Sequence, residues 1–247
     1  IAVYVSPITY NDPYQIDQWY LAQGGIYEAY DIFEGANEVI VAVVDSGVDY
    51  NHPDLVGRVE KGRDFSKCDD TEAENNSAPP GTCLHPTQPD DDPMDNVGHG
   101  THVSGTIGAI GDNNTGVAGV NWNVKILAVK VLGAGGLGPL SSILSGIDYA
   151  TQHGAKVINM SLGGSISPYS CSYQVPDLAI VRNTIEAARN AGVTVVVAAG
   201  NDSTSTANYL YASCPGVISV GATTQSDTRA AFSNYGPLVT IGAPGVQ

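Results

Sequence analysis

The chain has 247 residues, 43% of them hydrophobic, which is enough to bury the core of one large α/β domain. Its formal net charge of −15 argues against nucleic acid as a partner, because phosphates attract basic surfaces. No apolar run approaches the roughly 20 residues that a membrane-spanning helix needs, so we expect no membrane segment.

Five short runs rich in β-branched residues are predicted to form strands. In chain order they occupy residues 38–44, 124–132, 155–162, 193–200 and 216–223. They are nearly continuous in apolar residues, as in strands buried on both faces. Irregular sequence fills residues 1–37, which we call the N-terminal arm, and residues 66–97, which we call the acidic loop. No linker divides the chain, so residues 1–247 are predicted to form a single domain.

Apolar residues at helical spacing lie between the later runs and predict two helices. One stripe contains Ile143, Ile147 and Ala150, and the other contains Leu178, Val181, Ile185 and Ala188. Gly154 and Gly192 stand where these helices should end. Strands and helices alternate, which predicts a doubly wound, mostly parallel α/β sheet with helices on both faces.

The acidic loop and the cysteines bear on metal binding and on location. From residue 64 to residue 95 the sequence holds nine acidic residues and one base, Lys67, as in a solvated acidic loop or a calcium site. The four cysteines include no C-x-x-C pair, which disfavours zinc and thioredoxin-like sites. Their even number and the acidic composition are typical of secreted proteins with disulfides. With no Met or signal peptide before Ile1, we expect a secreted chain processed from a longer zymogen.

Polar residues follow several predicted strands at their carboxyl ends, where ligands bind in open parallel sheets. Asp45 follows the first run and Asn201 the fourth. Ser161 follows the third, while His99 opens the helix after the acidic loop. A carboxylate bonded to one ring nitrogen of a histidine leaves the other nitrogen free as a base, and an amide can donate to an oxyanion. These residues could serve acyl transfer, or Asp45 could cap a turn beside a purely structural His99.

Four segments resemble successive blocks of the subtilisin-like serine proteases and stand in that family's order: VAVVDSGVDYNHPDL, GHGTHVSGTIGA, VINMSLGG and VVVAAGN. The resemblance runs from about residue 11 to the end of the chain and implies a secreted serine endopeptidase acting on extended protein or peptide substrates. It implies that Asp45 orients the base, that His99 is the general base and that Asn201 donates to the oxyanion. It also implies that His102 is a structural helix residue.

The same resemblance implies a substrate cleft. Its specificity pocket would have two walls, formed by Ser161, Leu162 and Gly163 and by Ala198, Ala199 and Gly200. The segment Gly136, Leu137 and Gly138 would pair with an extended substrate as an added β-strand. Glycine suits that contact because two backbones must approach closely.

Calcium is the cofactor that the resemblance implies. A first site would take side-chain oxygens from Asp12, Asp54 and Asn113 and carbonyl oxygens from Ile110, Thr115 and Val117. The run PDDDPMD suggests a second site with ligands among Asp64, Asp90, Asp92 and Asp95. A bound cation there would relieve the repulsion between neighbouring carboxylates.

The serine nucleophile of this family lies in a GTSMA block, which the sequence does not contain. Its last residues, IGAPGVQ, resemble the segment before that block. The resemblance therefore implies an N-terminal portion of the enzyme, lacking the C-terminal part of the fold. The serine would lie on a C-terminal fragment of the same enzyme, beyond residue 247. Ser161 and Ser233 match non-catalytic segments of the family.

Two other functions stay open. A catalytically inactive relative could act as a binding or regulatory protein, although it would have no need to retain the acid, the base and the oxyanion donor together. A metallohydrolase could use His52, His99, His102 and Asp45 as ligands. The two histidines of GHGTH are three residues apart, a spacing at which helical side chains can share a metal ion, but the family gives them different roles.

We also expect two disulfides. Cys68 would pair with Cys83 and close the acidic loop on itself, while Cys171 would pair with Cys214. The second bond would tie the loop after SLGG to the turn before GVISV, near the substrate edge of the sheet.

Overall fold

A parallel β-sheet lies at the centre of the computed structural model, which describes residues 11–33, 35–36, 38–66, 89–166, 169–171 and 175–246. Within these residues the strands are β1 (Ile40–Asp45), β2 (Val59–Asp64), β3 (Lys125–Lys130), β4 (Val157–Met160), β5 (Thr194–Ala198), β6 (Ile218–Thr223) and β7 (Ile241–Pro244). Their order across the sheet is β2-β3-β1-β4-β5-β6-β7, and all neighbours are parallel. The chain thus winds in both directions from β1, which confirms the doubly wound architecture.

All five predicted strands are present, as β1, β3, β4, β5 and β6. The sequence pattern missed β2 and β7, which form the two edges of the sheet. Edge strands need no continuous apolar run, because one side faces solvent or a loop. The β2 sequence, VEKGRD, is mostly polar, and β7 contains only four residues. Neither provides the periodic signal by which strands are recognised.

Helices cover both faces of the sheet. They are α1 (Trp19–Gln23), α2 (Ile26–Tyr30), α3 (His99–Gly108), α4 (Leu140–Gln152) and α5 (Ala179–Asn190). Ile147 of α4 and Ile185 of α5 are fully buried in the larger core, against one face of the sheet. Val103 and Ile107 of α3 pack on the other face. After α4 and α5, Gly154 and Gly192 adopt positive φ angles of 84° and 85°, at the predicted helix ends.

The N-terminal arm differs from the prediction, since its described part contains α1 and α2. Each of these helices has only five residues, too few to show an apolar period in the sequence. Leu21 and Tyr30 hold them to the body of the protein by packing with Ala118 and Trp122 in a separate small core. None of the helices in the described ranges is long and apolar enough to cross a membrane.

Candidate active site

Asp45 lies at the carboxyl end of β1, the strand at which the winding direction changes and where open α/β sheets bind ligands. Its side chain is completely buried. Oδ1 accepts a hydrogen bond from His99 Nδ1 at 2.7 Å and another from the Ser46 backbone N–H at 2.7 Å. Oδ2 is buried without a hydrogen-bond partner among the described residues. A buried carboxylate oxygen in this state is costly, and such groups are concentrated at functional sites.

His99 is the first residue of α3, as predicted, and half of its side chain is exposed. The hydrogen bond that His99 donates to Asp45 raises the pKa of the His99 imidazole above its usual value, although burial acts in the opposite direction. Because Asp45 holds Nδ1, the neutral ring carries its proton on Nδ1 and presents Nε2 as an acceptor. The pair therefore has the geometry of a base with its orienting acid.

The turn before His99 is fixed by a buried cation. Lys130, the last residue of β3, is fully buried and lies beside Asp45 in the sheet register. Its Nζ donates to the Met94 carbonyl at 3.0 Å and to Asn96 Oδ1 at 2.8 Å. This lysine holds the end of the acidic loop against the sheet, directly before the helix that carries the histidine.

His99 lines a cleft with a volume of about 470 Å³. Six predicted substrate residues line it too: Gly136, Leu137, Gly138, Ser161, Leu162 and Gly163. Leu137 is 62% exposed, so the 136–138 segment presents itself to a ligand. Leu210 and Tyr211 also line the cleft and were not predicted. The structure thus brings His99 and most of the predicted substrate residues to one cavity.

The second predicted wall, residues 198–200, is not among the residues that line this cleft. Asn234 holds two carbonyls of that wall. Its Nδ2 donates to the Ala199 carbonyl at 2.9 Å, and its backbone N–H donates to the Gly200 carbonyl at 2.9 Å. Asn201 follows immediately, exposed, just beyond the carboxyl end of β5.

A disulfide joins Cys171 to Cys214 next to the cleft, as predicted. The backbone N–H of Cys171 also donates to Ser213 Oγ at 3.0 Å. The disulfide therefore ties the segment that follows the Ser161–Gly163 wall to the segment that carries Leu210 and Tyr211. The predicted Cys68–Cys83 pair lies outside the described residues.

The residues of the first predicted calcium site meet around the loop that follows α3. Asp12 and Asp54 are 5% and 2% exposed. Asp12 Oδ1 accepts from the Asn113 backbone N–H at 3.0 Å, and Asp54 accepts from Asn113 Nδ2 and the Val117 backbone N–H, both at 2.9 Å. A Cβ atom at Gly116 would lie 2.3 Å from Asp54 Oδ2, so only glycine leaves room there.

The contacts of Asp12 and Asp54 bear on the first predicted calcium site. Both carboxylates are buried, and neither forms an ion pair with a described residue. All four of their oxygens accept hydrogen bonds, including Asp12 Oδ2 from the Asp112 backbone N–H at 2.8 Å. These bonds offset part of the cost of burying the two negative charges. Ile110 and Thr115, predicted as carbonyl ligands, lie in the same loop, so the set offers carboxylate, amide and backbone oxygens, the ligands that Ca²⁺ takes.

The second predicted calcium site stays a prediction, and the structure shows what its carboxylates contact. No three His, Cys, Asp or Glu side chains in the part of the chain that the structure describes are placed to hold a metal ion. Each carboxylate instead serves a local hydrogen bond: Asp64 accepts from the Ser66 backbone N–H, Asp90 from that of Asp92, and Asp92 from the Tyr50 hydroxyl. Asp95 accepts hydrogen bonds from the backbone N–H groups of Val97, Gly98 and Thr101. The described carboxylates of this run therefore each have a local hydrogen-bond partner.

The same finding argues against the metallohydrolase alternative. His52 Nδ1 accepts from the Asp54 backbone N–H at 3.2 Å. His102 is exposed and lines a separate groove beside Trp19. His99 alone of these three histidines lines the cleft. The histidines therefore do not converge on a shared ligand position.

Sequence reasoning missed several residues that shape the site. Ser46 and Lys130 are buried around Asp45, and Tyr211 lines the cleft. A charged residue at the end of an apolar run, as in KILAVK, was the available signal for Lys130. Asp95 lies four residues before the start of α3, too far for the sequence to mark it as a helix cap.

Comparisons with known proteins agree with this geometry. A model of the subtilase family, peptidase type S8, matches residues 36–247. The chain is 41% identical over 240 residues to a thermophilic serine proteinase of Bacillus sp. strain AK1, covering 97% of this chain and 52% of that protein. It is 36% identical over 259 residues to an extracellular protease of Xanthomonas campestris pv. campestris, covering 96% and 43%.

A solved structure of a protease is also similar to this chain. Proteases from Pseudoalteromonas arctica superpose with a TM-score of 0.80 at 35% identity, over 96% of this chain and 72% of the other. The chain spans about half the length of the two curated relatives. A family model that covers most of the chain, a fold shared with a protease and motifs at one sheet edge lead to one conclusion: this chain belongs to the subtilase family of subtilisin-like serine proteases.

Proposed function

We propose that this chain provides the acid, the base and most of the substrate cleft of a calcium-stabilised serine endopeptidase. The observation that carries the proposal is the 2.7 Å hydrogen bond from His99 Nδ1 to the buried Asp45. It holds a half-exposed imidazole at the mouth of a cleft, with Nε2 as the free acceptor. This arrangement suits a general base better than a structural histidine, which would have both nitrogens satisfied.

In the proposed reaction, His99 Nε2 takes the proton from a serine hydroxyl as its oxygen attacks the peptide carbonyl. The imidazolium then gives that proton to the leaving amine, and water repeats the sequence on the acyl-enzyme. Asp45 fixes the ring and stabilises the positive charge. Asn201, exposed at the carboxyl end of β5, donates to the oxyanion.

We place the nucleophilic serine on a segment beyond Gln247, carried by a C-terminal fragment of the enzyme that stays bound. Ser233 cannot serve, because it is buried and its hydroxyl donates to the Asn234 carbonyl. The Trp19 indole N–H donates to the Val246 carbonyl at the rim of a groove of about 910 Å³. In that groove Ile16 is 90% exposed, so an apolar surface is available beside the end of the described chain.

For the substrate, the cleft supports an extended peptide. The exposed 136–138 segment offers an edge for backbone pairing, and the Ser161–Gly163 wall lies across the same cavity. Residues 198–200 would form the opposite wall. We propose secretion as well, since a relative is named an extracellular protease and the Cys171–Cys214 bond suits an oxidising compartment.

We also propose that calcium binds Asp12, Asp54 and Asn113 together with carbonyls of Ile110, Thr115 and Val117. Bound there, the ion would neutralise two buried carboxylates and tie the N-terminal arm to the loop after α3. Its contribution is to stability, since no residue of this set lines the cleft.

The test uses the complete enzyme, with every polypeptide of the preparation kept together, and compares His99→Ala with His102→Ala. A biotinylated fluorophosphonate should label one polypeptide, the one without Ile1, and His99→Ala should abolish labelling and peptide hydrolysis. His102→Ala, one helical turn away in another groove, should retain both. Absence of labelling in the wild-type enzyme would favour the non-catalytic binding protein. If the labelled polypeptide contains Ile1, the proposal of a separate C-terminal fragment is wrong, whereas the proposal of a serine protease is supported.

A further inference from the structure

Asp95 accepts five hydrogen bonds through one carboxylate at the start of α3. Oδ1 accepts from Ser46 Oγ and from the backbone N–H groups of Val97 and Gly98, all at 2.9 Å. Oδ2 accepts from the Thr101 backbone N–H at 2.9 Å and from Thr101 Oγ1 at 2.6 Å. The Thr101 N–H belongs to the first turn of α3, where a helix leaves backbone donors unsatisfied, and Val97 and Gly98 directly precede the helix. Asp95 therefore caps the helix that begins with the proposed base.

The same carboxylate is connected to Asp45 through Ser46. The Ser46 backbone N–H donates to Asp45 Oδ1, while its hydroxyl donates to Asp95 and accepts from the Gly100 backbone N–H at 2.9 Å. One residue thus joins the carboxylate that orients His99 to the carboxylate that caps the helix of His99. The network crosses from the end of β1 to the first turn of α3, the two elements whose separation sets the His99–Asp45 distance.

We propose that Asp95 is a positioning residue for the proposed reaction, which holds the His99 ring against Asp45 by fixing the first turn of α3 to the end of β1. The inference rests on the proposed function, because it gives Asp95 a role in the acid–base step. Asp95 touches neither substrate nor the reacting atoms and acts through Ser46 and the helix.

Charge supports the same role. Two carboxylates act on His99, Asp45 from β1 and Asp95 from the loop before α3. Asp45 is the larger influence, and the negative charge of Asp95 adds to the rise in the His99 pKa. Burial alone would raise the pKa of Asp95, but the hydrogen bonds from Thr101, Gly98 and Val97 lower it, so the carboxylate stays ionised. An asparagine would lack the charge, and its NH₂ group could not accept from Thr101.

The experiment measures kcat and KM of the complete enzyme on a peptide p-nitroanilide across pH, for Asp95→Asn and for Asp91→Asn as the matched control. Asp91 lies in the same loop, but its side chain is 82% exposed and pairs with Arg63. For Asp95→Asn we expect kcat to fall by about 10²-fold with KM nearly unchanged, and the acid limb of the profile to move to lower pH. Asp91→Asn should match the wild type in kcat, in KM and in the position of the acid limb.

Wild-type kinetics for Asp95→Asn, or a fall in kcat with an unmoved acid limb, would overturn the inference. His99→Ala separates the two proposals: if it abolishes activity while Asp95→Asn behaves as wild type, the protease stands and the positioning role fails. If Asp95→Asn does not fold, by circular dichroism, Ser46→Ala decides. It keeps the charge and the cap but cuts the connection, so it should lower kcat with KM unchanged, and an unchanged kcat would refute the connection.

Discussion

Gly100→Ala tests how tightly α3 must approach the end of β1. A Cβ built on Gly100 lies 2.1 Å from the Gly47 carbonyl oxygen and 3.2 Å from Asp45 Cβ. The closest obstacle is backbone, which cannot rotate away as a side chain can. Contacts under 3.0 Å essentially never occur for real Cβ atoms, so the first turn of α3 must withdraw by about 1 Å.

A withdrawal of this size would disrupt the acid–base pair. The His99–Asp45 hydrogen bond is 2.7 Å long, and a separation of about 3.6 Å is no longer a hydrogen bond. A displacement of 1 Å at a reacting group costs about 10²-fold in rate, and forcing a methyl group into a packed site costs about 1–3 kcal/mol of stability. We therefore expect kcat/KM for Gly100→Ala to fall at least about 10²-fold, with a lower melting temperature.

Gly105→Ala is the matched control, because it makes the same change on the same helix. A Cβ at Gly105 meets no atom within 4 Å. Alanine is the better helix former by about 1 kcal/mol, so this variant should keep full activity and melt slightly higher. The assay is hydrolysis of a peptide p-nitroanilide together with thermal unfolding by circular dichroism. A folded Gly100→Ala enzyme with wild-type kcat/KM would refute the reasoning.

Three further predictions concern chemistry and calcium. Asp45→Asn should lower kcat by about 10⁴-fold and Asn201→Ala by about 10²–10³-fold, with little change in KM; a large KM effect with normal kcat would contradict the assigned roles. The pKa of His99 is raised, and a general base acts in its unprotonated form, so activity should be lost as pH falls through a value above the ordinary histidine pKa of about 6.5. The measurement is kcat/KM against pH, and an acid limb below that ordinary value would contradict the prediction. EGTA should lower the melting temperature, because calcium at 100 times its Kd adds about 2.7 kcal/mol to the free energy of unfolding. The Asp54→Asn variant should melt at a lower temperature than the wild type, and EGTA should change its melting temperature less. Equal melting temperatures of the wild type with and without EGTA would exclude the site.

Continuous apolar patterns predicted the central strands and the two long helices because burial on both faces imposes them. The edges of the sheet could not be predicted in this way. β2 is polar along its exposed side, and β7 is held by pairing with β6 rather than by its own composition. The five-residue helices of the N-terminal arm depend on packing with Trp122, which is distant in the sequence.

The candidate site was also predictable from the sequence only in part. Asp45 and His99 could be placed by topology, since strand ends share an edge and helices begin there. The second calcium site stays a prediction, because a dense acidic run says nothing about where each carboxylate points. Asp92 turns to Tyr50, and Asp95 turns to the helix start. Local hydrogen bonds of this kind cannot be read from the spacing of acidic residues in a sequence.

What the sequence pattern cannot show is that DSG and GHGT fit each other. The two motifs lie about fifty residues apart, yet the contacts pair them almost residue by residue: Asp45 with His99, Ser46 with Gly100, the Gly47 carbonyl against Gly100, and Asp49 N–H with Thr101 Oγ1. Each residue type then has a physical reason. Asp45 accepts from the His99 ring, and the Ser46 hydroxyl both donates and accepts. Gly100 permits the backbone contact, and Thr101 Oγ1 accepts from Asp49 and donates to Asp95. A substitution in either motif should therefore be read as a change to one shared interface, whose measurable property is the distance from His99 to Asp45.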